Sequence, residues 1–177
     1  MMKLAVNEVK TQAKKLFKAL NENEDLLQTM QLPLKRVSVS SLTQLKLKHC
    51  LSMVSHQLGF DSWQDAHEIL SGKLSPIESC NMGSFFYPKS CGAFINEWFV
   101  DYQQAKNILL KDETSKWLLP YKNQYIVVKK SYIDVFKLNQ EVTALWAKIC
   151  HDMVEGYNSS EWDKITCQII KNRAKNY

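Results

Sequence analysis

One stretch decides the first part of the fold: Leu58-Gly59-Phe60-Asp61-Ser62-Trp63-Gln64-Asp65-Ala66-His67-Glu68-Ile69-Leu70. Gly59 stands where a helix can end in a left-handed conformation, which glycine adopts without steric cost. Asp61 or Ser62 can then accept hydrogen bonds from the free N–H groups of a new helix. The stretch therefore predicts two helices that meet at a corner, with a phenylalanine and a tryptophan packed there.

The residues before this corner extend the prediction to a helical module. Apolar residues recur at helical spacing over 6–21 and over 42–58, which predicts an amphipathic helix in each range. Residues 31–41 are predicted as a connector, because Pro33 interrupts helical hydrogen bonding. With the helix that follows the corner, residues 1–72 form a predicted three-helix module.

The composition changes after this module. Residues 73–83 contain glycine, proline and asparagine with little periodicity, and they are predicted as a linker. Residues 84–177 are predicted as a separate domain. It opens with two aromatic and β-branched runs, 84–87 and 93–100, which are candidates for strands.

The chain after these runs alternates between strand and helix signals. Asp101 stands where it can cap a helix over 102–110. Residues 117–119 and 124–128 favour extended structure around Pro120. They predict either a hairpin or one long strand with the proline at a sheet edge.

Three more helices are predicted toward the C terminus, over 131–136, 142–151 and 159–175, the first of them capped by Ser131. The predicted fold class is therefore α+β. It consists of an N-terminal three-helix module followed by a small, mainly antiparallel sheet packed with helices.

The composition is that of a packed globular protein. The 177 residues are 45% hydrophobic and include five Trp, seven Tyr and seven Phe, which is too apolar for a disordered chain. A net charge of +5 permits contact with nucleic acid or an acidic partner without requiring it. The sequence shows neither a signal-peptide core nor a membrane-spanning run. We therefore expect a cytoplasmic protein with reduced cysteines and no membrane partner.

Several short motifs carry a resemblance to known proteins: Ala13-Lys14-Lys15-Leu16, the helix over 51–58, and Leu58-Gly59-Phe60-Asp61-Ser62-Trp63. On these residues the first 70 positions resemble the glyoxalase-related helical domain of bacterial proteins. The second part, through Asn96-Glu97-Trp98-Phe99 and Leu118-Leu119-Pro120-Tyr121, is similar to bacterial proteins of unknown function. The resemblance implies a bacterial protein and transfers no catalytic residue. The paired βαβββ units and the metal ligands of a true glyoxalase are not predicted here.

A specific DNA-binding function is disfavoured, although residues 51–70 superficially follow a helix-turn-helix pattern. The second helix of that pattern contains Asp61, Asp65 and Glu68 and no basic residue. Three carboxylates would be repelled by the phosphates that a recognition helix must approach. Nucleic acid is therefore not expected as a specific target.

No motif predicts a metal or catalytic centre. The runs His49-Cys50 and Cys150-His151-Asp152 place neighbouring side chains about 100° apart on predicted helices, so the adjacent His and Cys cannot chelate one ion. Cys91 is the cysteine whose surroundings predict exposure, and His151 could activate it only if the fold brought the two together. We favour unreactive thiols and expect no catalytic residue, metal or cofactor.

The aromatic residues of the predicted sheet indicate a different kind of site. On strands, alternate residues face opposite sides, so one set of rings can fill a core while the other lines a groove. The candidate residues for such a ligand groove are Asn96, Glu97, Trp98, Asp101, Tyr121, Lys122 and His151.

Three hypotheses of function follow, in order of preference. The first is a non-enzymatic interaction module that binds an unknown protein partner or a second copy of itself. The second is a small-molecule-binding protein or small enzyme with its site on the aromatic sheet, so the question of catalysis stays open. The third is weak nucleic-acid association through two basic patches, formed by Lys35, Arg36, Lys46 and Lys48 and by the tail residues Lys171, Arg173 and Lys175.

Overall fold

The computed structural model describes residues 3–74 and 81–174, with Leu42 described by its backbone alone. Within these ranges, helices pack around a small three-stranded antiparallel sheet, so the predicted α+β class is confirmed. No helix in the two ranges combines the length and the apolar character that crossing a lipid bilayer requires.

The first range is mainly helical. Its elements are α1 (Leu4–Glu22), α2 (Glu24–Thr29), α3 (Gln31–Arg36), a 3₁₀ turn at Leu42–Gln44, α4 (Leu47–Leu58) and α5 (Trp63–Leu70). The helices predicted over 6–21 and after the corner are confirmed.

The corner between α4 and α5 forms as its local residues predict. Gly59 ends α4 with a φ of +99°, and Ser62 Oγ accepts a hydrogen bond from the N–H of Asp65 at 3.0 Å. A Cβ atom at position 59 would lie 2.5 Å from Ser84 Oγ. The corner therefore requires glycine for its dihedral angle and for its close approach to the second half of the chain.

The predicted connector over 31–41 is partly helical, and the prediction that Pro33 breaks the helix is wrong. Pro33 lies in the first turn of α3. A backbone N–H there has no intrahelical acceptor, so its absence from proline removes no helical hydrogen bond. The helix predicted over 42–58 begins at Leu47 instead, because Lys46 is extended and separates it from the preceding 3₁₀ turn.

The second range contains the sheet and mostly short helices. In chain order they are a 3₁₀ turn at Lys89–Cys91, β1 (Glu97–Phe99), α6 (Tyr102–Leu110), β2 (Lys116–Tyr121), β3 (Gln124–Lys129), α7 (Lys130–Ile133), a 3₁₀ turn at Asp134–Phe136, α8 (Gln140–Thr143), α9 (Leu145–Lys148) and α10 (Ser160–Arg173). β3 lies between β1 and β2 and is antiparallel to both.

The elements with clear local signals form as predicted. Asp101 Oδ1 accepts a hydrogen bond from the N–H of Gln104 at 2.9 Å and begins α6. The hairpin alternative for β2 and β3 is confirmed, with Pro120 on an outer strand. Ser159 caps α10 by accepting from the N–H of Trp162 at 3.1 Å.

The prediction of two strands before α6 is largely wrong. Residues 84–87 form turns rather than a strand, and Phe85 and Phe86 are fully buried there. Their aromatic character reflects burial in the core and not an extended backbone. The run over 93–100 contributes only the three residues of β1.

The helices between β3 and α10 are shorter than predicted. Ser131 does not cap α7, because the helix already begins at Lys130 after an extended Lys129. The helix predicted over 142–151 divides into α8 and α9. It cannot continue, because Cys150 and His151 both adopt left-handed φ angles, of 49° and 55°.

The sheet has different neighbours on its two faces. Trp117, Leu119 and Ile126 belong to the main core with the helices, whereas Leu118 and Val127 belong to a smaller cluster with α6. This division follows the alternation of side chains along a strand.

The main core includes residues from both described ranges. α1 packs against α4 and against α10, and buried residues of all three helices form one continuous cluster. Hydrogen bonds also connect the ranges: among them, the N–H of Ser84 donates to Gly59 O at 2.9 Å, and the hydroxyl of Tyr157 donates to Ile69 O at 2.6 Å. The domain division into 1–72, 73–83 and 84–177 stays a prediction, and residues 75–80 of the predicted linker lie outside the described residues.

The N terminus of α1 is capped by a residue from the other end of the sequence. Asp163 on α10 accepts hydrogen bonds from the N–H of Leu4 at 2.8 Å and from the N–H of Ala5 at 3.0 Å, one through each carboxylate oxygen. These N–H groups have no intrahelical acceptor, and a carboxylate complements the positive end of the helix dipole. Because Lys3 offers no side-chain cap, α1 depends on α10 at its first turn.

We expect Asp163→Asn to lower the free energy of unfolding by about 1 to 3 kcal/mol, because the amide keeps the shape but loses the charge and one acceptor oxygen. Glu22→Gln, at the exposed opposite end of α1, should change it by less than about 0.5 kcal/mol. Urea unfolding followed by circular dichroism measures both. An unchanged stability of Asp163→Asn would contradict the capping role.

Candidate functional site

The residues predicted to line a ligand groove lie in different surroundings. They are Asn96, Glu97, Trp98, Asp101, Tyr121, Lys122 and His151. In the sheet, Trp98 lies opposite Ile126, and Glu97 lies opposite Val127. Ile126 belongs to the main core and Val127 to the smaller cluster, so Trp98 and Glu97 lie on opposite faces of the sheet. That these seven residues bind one ligand therefore stays a prediction.

Three aromatic rings form a cluster beside the hairpin turn. The rings of Tyr87, Trp98 and Tyr121 meet edge to face, with centroids 5.3 to 5.4 Å apart. Lys122 Nζ lies 5.5 Å from the ring centroid of Tyr121. Ring pairs of this kind contribute about 0.5 to 1.5 kcal/mol each beyond their burial. They fix the orientation of Trp98, which is still 41% exposed.

The polar residues around β1 differ in their bonding. Glu97 Oε1 accepts a hydrogen bond from Lys116 Nζ at 2.9 Å, and Asp101 is occupied as the cap of α6. Asn96 Nδ2 is buried and has no hydrogen-bond partner in the described part of the chain. An unpaired buried amide donor costs about 1 to 3 kcal/mol, and Asn96 carries that cost within the described part of the chain.

His151 lies against Trp117, near the opposite end of β2 from Tyr121. The two rings have centroids 4.7 Å apart and are inclined by 32°. Because a carbonyl oxygen only accepts, the 2.5 Å contact between His151 Nδ1 and Glu113 O assigns the proton to Nδ1. Four residues of extended strand span about 13 Å, which separates this site from the aromatic cluster.

Two cavities adjoin the predicted residues. One, of about 280 Å³, lies beside His151 between β2 and the helices α7 to α9, and Trp117 and Trp146 are among its walls. Another, of about 440 Å³, includes Lys122 together with Arg36 and His56 from the first range.

The structure also gathers a buried charged cluster that the sequence analysis did not single out. Asp152 Oδ2 accepts from the Tyr102 hydroxyl at 2.8 Å and from Lys106 Nζ at 2.9 Å. Asp152 Oδ1 accepts from the N–H groups of Val154 and Glu155 at 2.9 and 3.0 Å. Both oxygens of this fully buried carboxylate are therefore occupied. The cluster joins α6 to the turn after α9 and is a structural contact.

This cluster changes the proton affinities of its members. Burial raises the pKa of the Tyr102 hydroxyl well above its usual value, and the neighbouring Asp152 charge adds to the rise. Burial lowers the pKa of Lys106, but its hydrogen bonds to Glu155 and Asp152 outweigh that effect and the net change is upward. The lysine therefore stays charged and the tyrosine stays neutral at physiological pH.

The prediction that Cys91 is exposed is wrong. Cys91 is fully buried, and Cys150 is the exposed thiol among the described cysteines. Burial raises the pKa of the Cys91 thiol, against the opposing effect of hydrogen bonds with Tyr132 and Ser90. A thiol in this state is a poor nucleophile at neutral pH. Across residues 3–74 and 81–174, no group of three or more His, Cys, Asp or Glu side chains is placed to hold a metal ion.

The basic residues considered for nucleic-acid contact differ in accessibility. The first patch, Lys35, Arg36, Lys46 and Lys48, is exposed. In the second, the guanidinium of Arg173 donates to Phe85 O and to Gln57 O and lies 5.5 Å from the Phe85 ring centroid. Lys175 lies outside the described residues. Lys171 is exposed, so among the described residues the first patch presents four exposed basic side chains and the second presents one.

Comparison with known proteins identifies no relative of the chain. No family model matches it, and no curated protein or solved structure matches it. The resemblance of the first 70 residues to the glyoxalase-related helical domain therefore stays a prediction, as does that of the second part to bacterial proteins.

We expect Tyr102 and Tyr132 to stay protonated in alkali until the protein unfolds. Burial raises the pKa of both hydroxyls, with further contributions from Asp152 and from Cys91 respectively. Because the pKa of each hydroxyl is higher in the folded than in the unfolded state, its contribution to stability is fully present below the unfolded pKa of about 10. The contribution is lost progressively as the pH rises from there through the folded pKa. Tyrosinate absorbance during a pH titration measures this.

The control for this titration is Tyr102→Phe, which should remove one of the two delayed ionisations and leave the other. If all seven tyrosines of the chain ionised in one step while circular dichroism still showed a folded protein, the burial of these hydroxyls would be refuted.

Proposed function

We propose that this protein acts through contact with another protein chain and that the outer edge of β1 makes the contact. The observation that supports this is the exposure of large apolar side chains along one short segment: Ile95 is 101% exposed, Val100 76% and Trp98 41%. Single exposed apolar residues are common on protein surfaces, whereas several together beside an edge strand are typical of interaction sites.

The backbone of β1 is also available for pairing. β1 and β2 are the outer strands of the sheet, so each has one side that faces away from β3. On β2 that side is covered, because the N–H of Leu118 donates to His151 O at 2.9 Å and Leu118 O accepts from the N–H of Met153 at 3.0 Å. No comparable backbone bond reaches β1 from the described residues. An added strand could bond to this edge.

We assign this edge to a second copy of the chain. In an antiparallel pairing of two β1 strands centred on Trp98, Glu97 of one copy lies opposite Phe99 of the other. The Glu97 carboxylates of the two copies therefore do not lie directly opposite each other. The pairing has the twofold symmetry that is most common among homo-oligomers, and it joins two three-stranded sheets across one edge.

We expect the wild-type chain to form a reversible dimer and Val100→Lys to raise its dissociation constant about tenfold or more. The reason is that burying a large apolar side chain contributes about 1.5 to 3 kcal/mol, and about 1.4 kcal/mol corresponds to a factor of ten. Ile95→Lys provides a second, independent variant. Sedimentation equilibrium measures the constant for each.

Leu32→Lys is the matched control, because Leu32 is 81% exposed but lies on α3. Its dissociation constant should equal that of the wild type. The proposal fails if the wild-type chain is monomeric at every accessible concentration, or if Val100→Lys and Ile95→Lys dimerise as strongly as Leu32→Lys.

A further inference from the structure

We propose that a cleft between the two described ranges binds a small organic phosphate. The cleft consists of two cavities, of about 440 Å³ and about 290 Å³, which share Arg36 and His56 in their walls and therefore adjoin. The larger one falls within the roughly 300 to 1,000 Å³ that is typical of small-molecule sites. No residue of β1 lines either cavity, so binding in the cleft does not depend on dimer formation.

Backbone hydrogen bonds fix the wall of the larger cavity. The N–H of Ser84 donates to Gly59 O at 2.9 Å, and the N–H of Lys122 donates to Gly83 O at 3.0 Å. Asn81 Oδ1 accepts from the N–H of Gly83 at 2.8 Å and closes the turn that contains this glycine. The corner between α4 and α5, this turn and the hairpin turn between β2 and β3 are therefore held together, and side chains from all three line one cavity.

The charged side chains of the larger cavity favour an anion. Arg36 comes from α3 and Lys122 from the hairpin turn, and neither forms an ion pair with a described residue. Among the described residues that line this cavity, Asp61 is the only carboxylate, so positive charge is in excess. A guanidinium binds phosphate oxygens through two parallel N–H groups, and an ammonium adds a point charge. The two cations together suit the nearly double negative charge of a phosphate monoester.

His56 adds a ring nitrogen to the same wall. Because a carbonyl oxygen only accepts, the 3.2 Å contact between His56 Nδ1 and Phe60 O assigns the proton to Nδ1. Nε2 is then the ring nitrogen left for a ligand, and in the neutral ring it accepts a hydrogen bond. A hydroxyl group of the ligand can donate to it, which adds a polar contact beside the two cations.

The smaller cavity makes the other half of the cleft apolar. Met30, Leu32, Pro33 and Met53 line it beside Arg36. These four side chains offer an inorganic ion no hydrogen-bond donor, whereas a ring or a short hydrocarbon chain gains free energy by covering them. A ligand with a phosphate at one end and an apolar group at the other therefore matches both halves of the cleft. Inorganic phosphate matches only the larger cavity.

Phenyl phosphate is a suitable probe, and the backbone amide signals in ¹H–¹⁵N NMR spectra of the full chain are the readout. We expect the amides of Gly59, Gly83 and Ser84, which line the larger cavity, to shift saturably as phenyl phosphate is added. The amides of α6, which lines neither cavity, should not shift. Inorganic phosphate should bind about tenfold more weakly, because it leaves the apolar half uncovered. The absence of a saturable shift, or equal affinities for the two probes, would overturn the proposal.

Charge variants test which side chains hold the phosphate. Arg36→Gln and Lys122→Gln should each weaken phenyl phosphate binding about three- to tenfold, and the double variant should show no saturable shift. Lys35→Gln is the matched control, because Lys35 is exposed on the same helix as Arg36 but lines neither cavity. Its affinity should stay within about twofold of the wild type. Equal losses for Lys35→Gln and Arg36→Gln, or an unchanged affinity of Lys122→Gln, would contradict a phosphate site in the cleft.

Discussion

The packing of α1 against α10, capped by the carboxylate of Asp163, joins the two described ranges of the chain. α1 has an apolar face but no residue of its own to satisfy its first N–H groups. Asp163 supplies both acceptor oxygens from α10 and thereby fixes the register of one helix against the other. α4 also packs on α1, so α1 lies between α4 of the first range and α10 of the second.

The sheet is positioned by a second buried carboxylate, Asp152. By accepting from Tyr102 and Lys106, it holds α6 to the turn after α9. The same turn covers the outer side of β2 through its bonds to Leu118. One edge of the sheet is therefore closed by the chain itself, whereas no backbone bond from the described residues covers the outer edge of β1. The asymmetry of the two edges supports the proposed contact between copies.

Much of the local structure could be predicted from sequence, because its signals lie within a few residues of each other. The corner at Gly59, the Asp101 and Ser159 caps and the hairpin are of this kind. Asp152 and Asp163 could not be found in this way, since their principal partners are 46 to 159 residues distant. The predicted groove contained Trp98 and His151, which belong to different surroundings. The local sequence indicates which aromatic residues lie near the sheet, but it does not indicate which of them lie close enough together to form one site.

The most direct test of this account is native-state hydrogen exchange of the backbone amides in α1 and α10. If α1 is held by α10 as described, the interior amides of both helices should exchange with the same free energy, equal to that of global unfolding. Exchange of the α1 amides at a much lower free energy than those of α10 would mean that α1 opens by itself. The description of α1 as held by α10 would then be wrong.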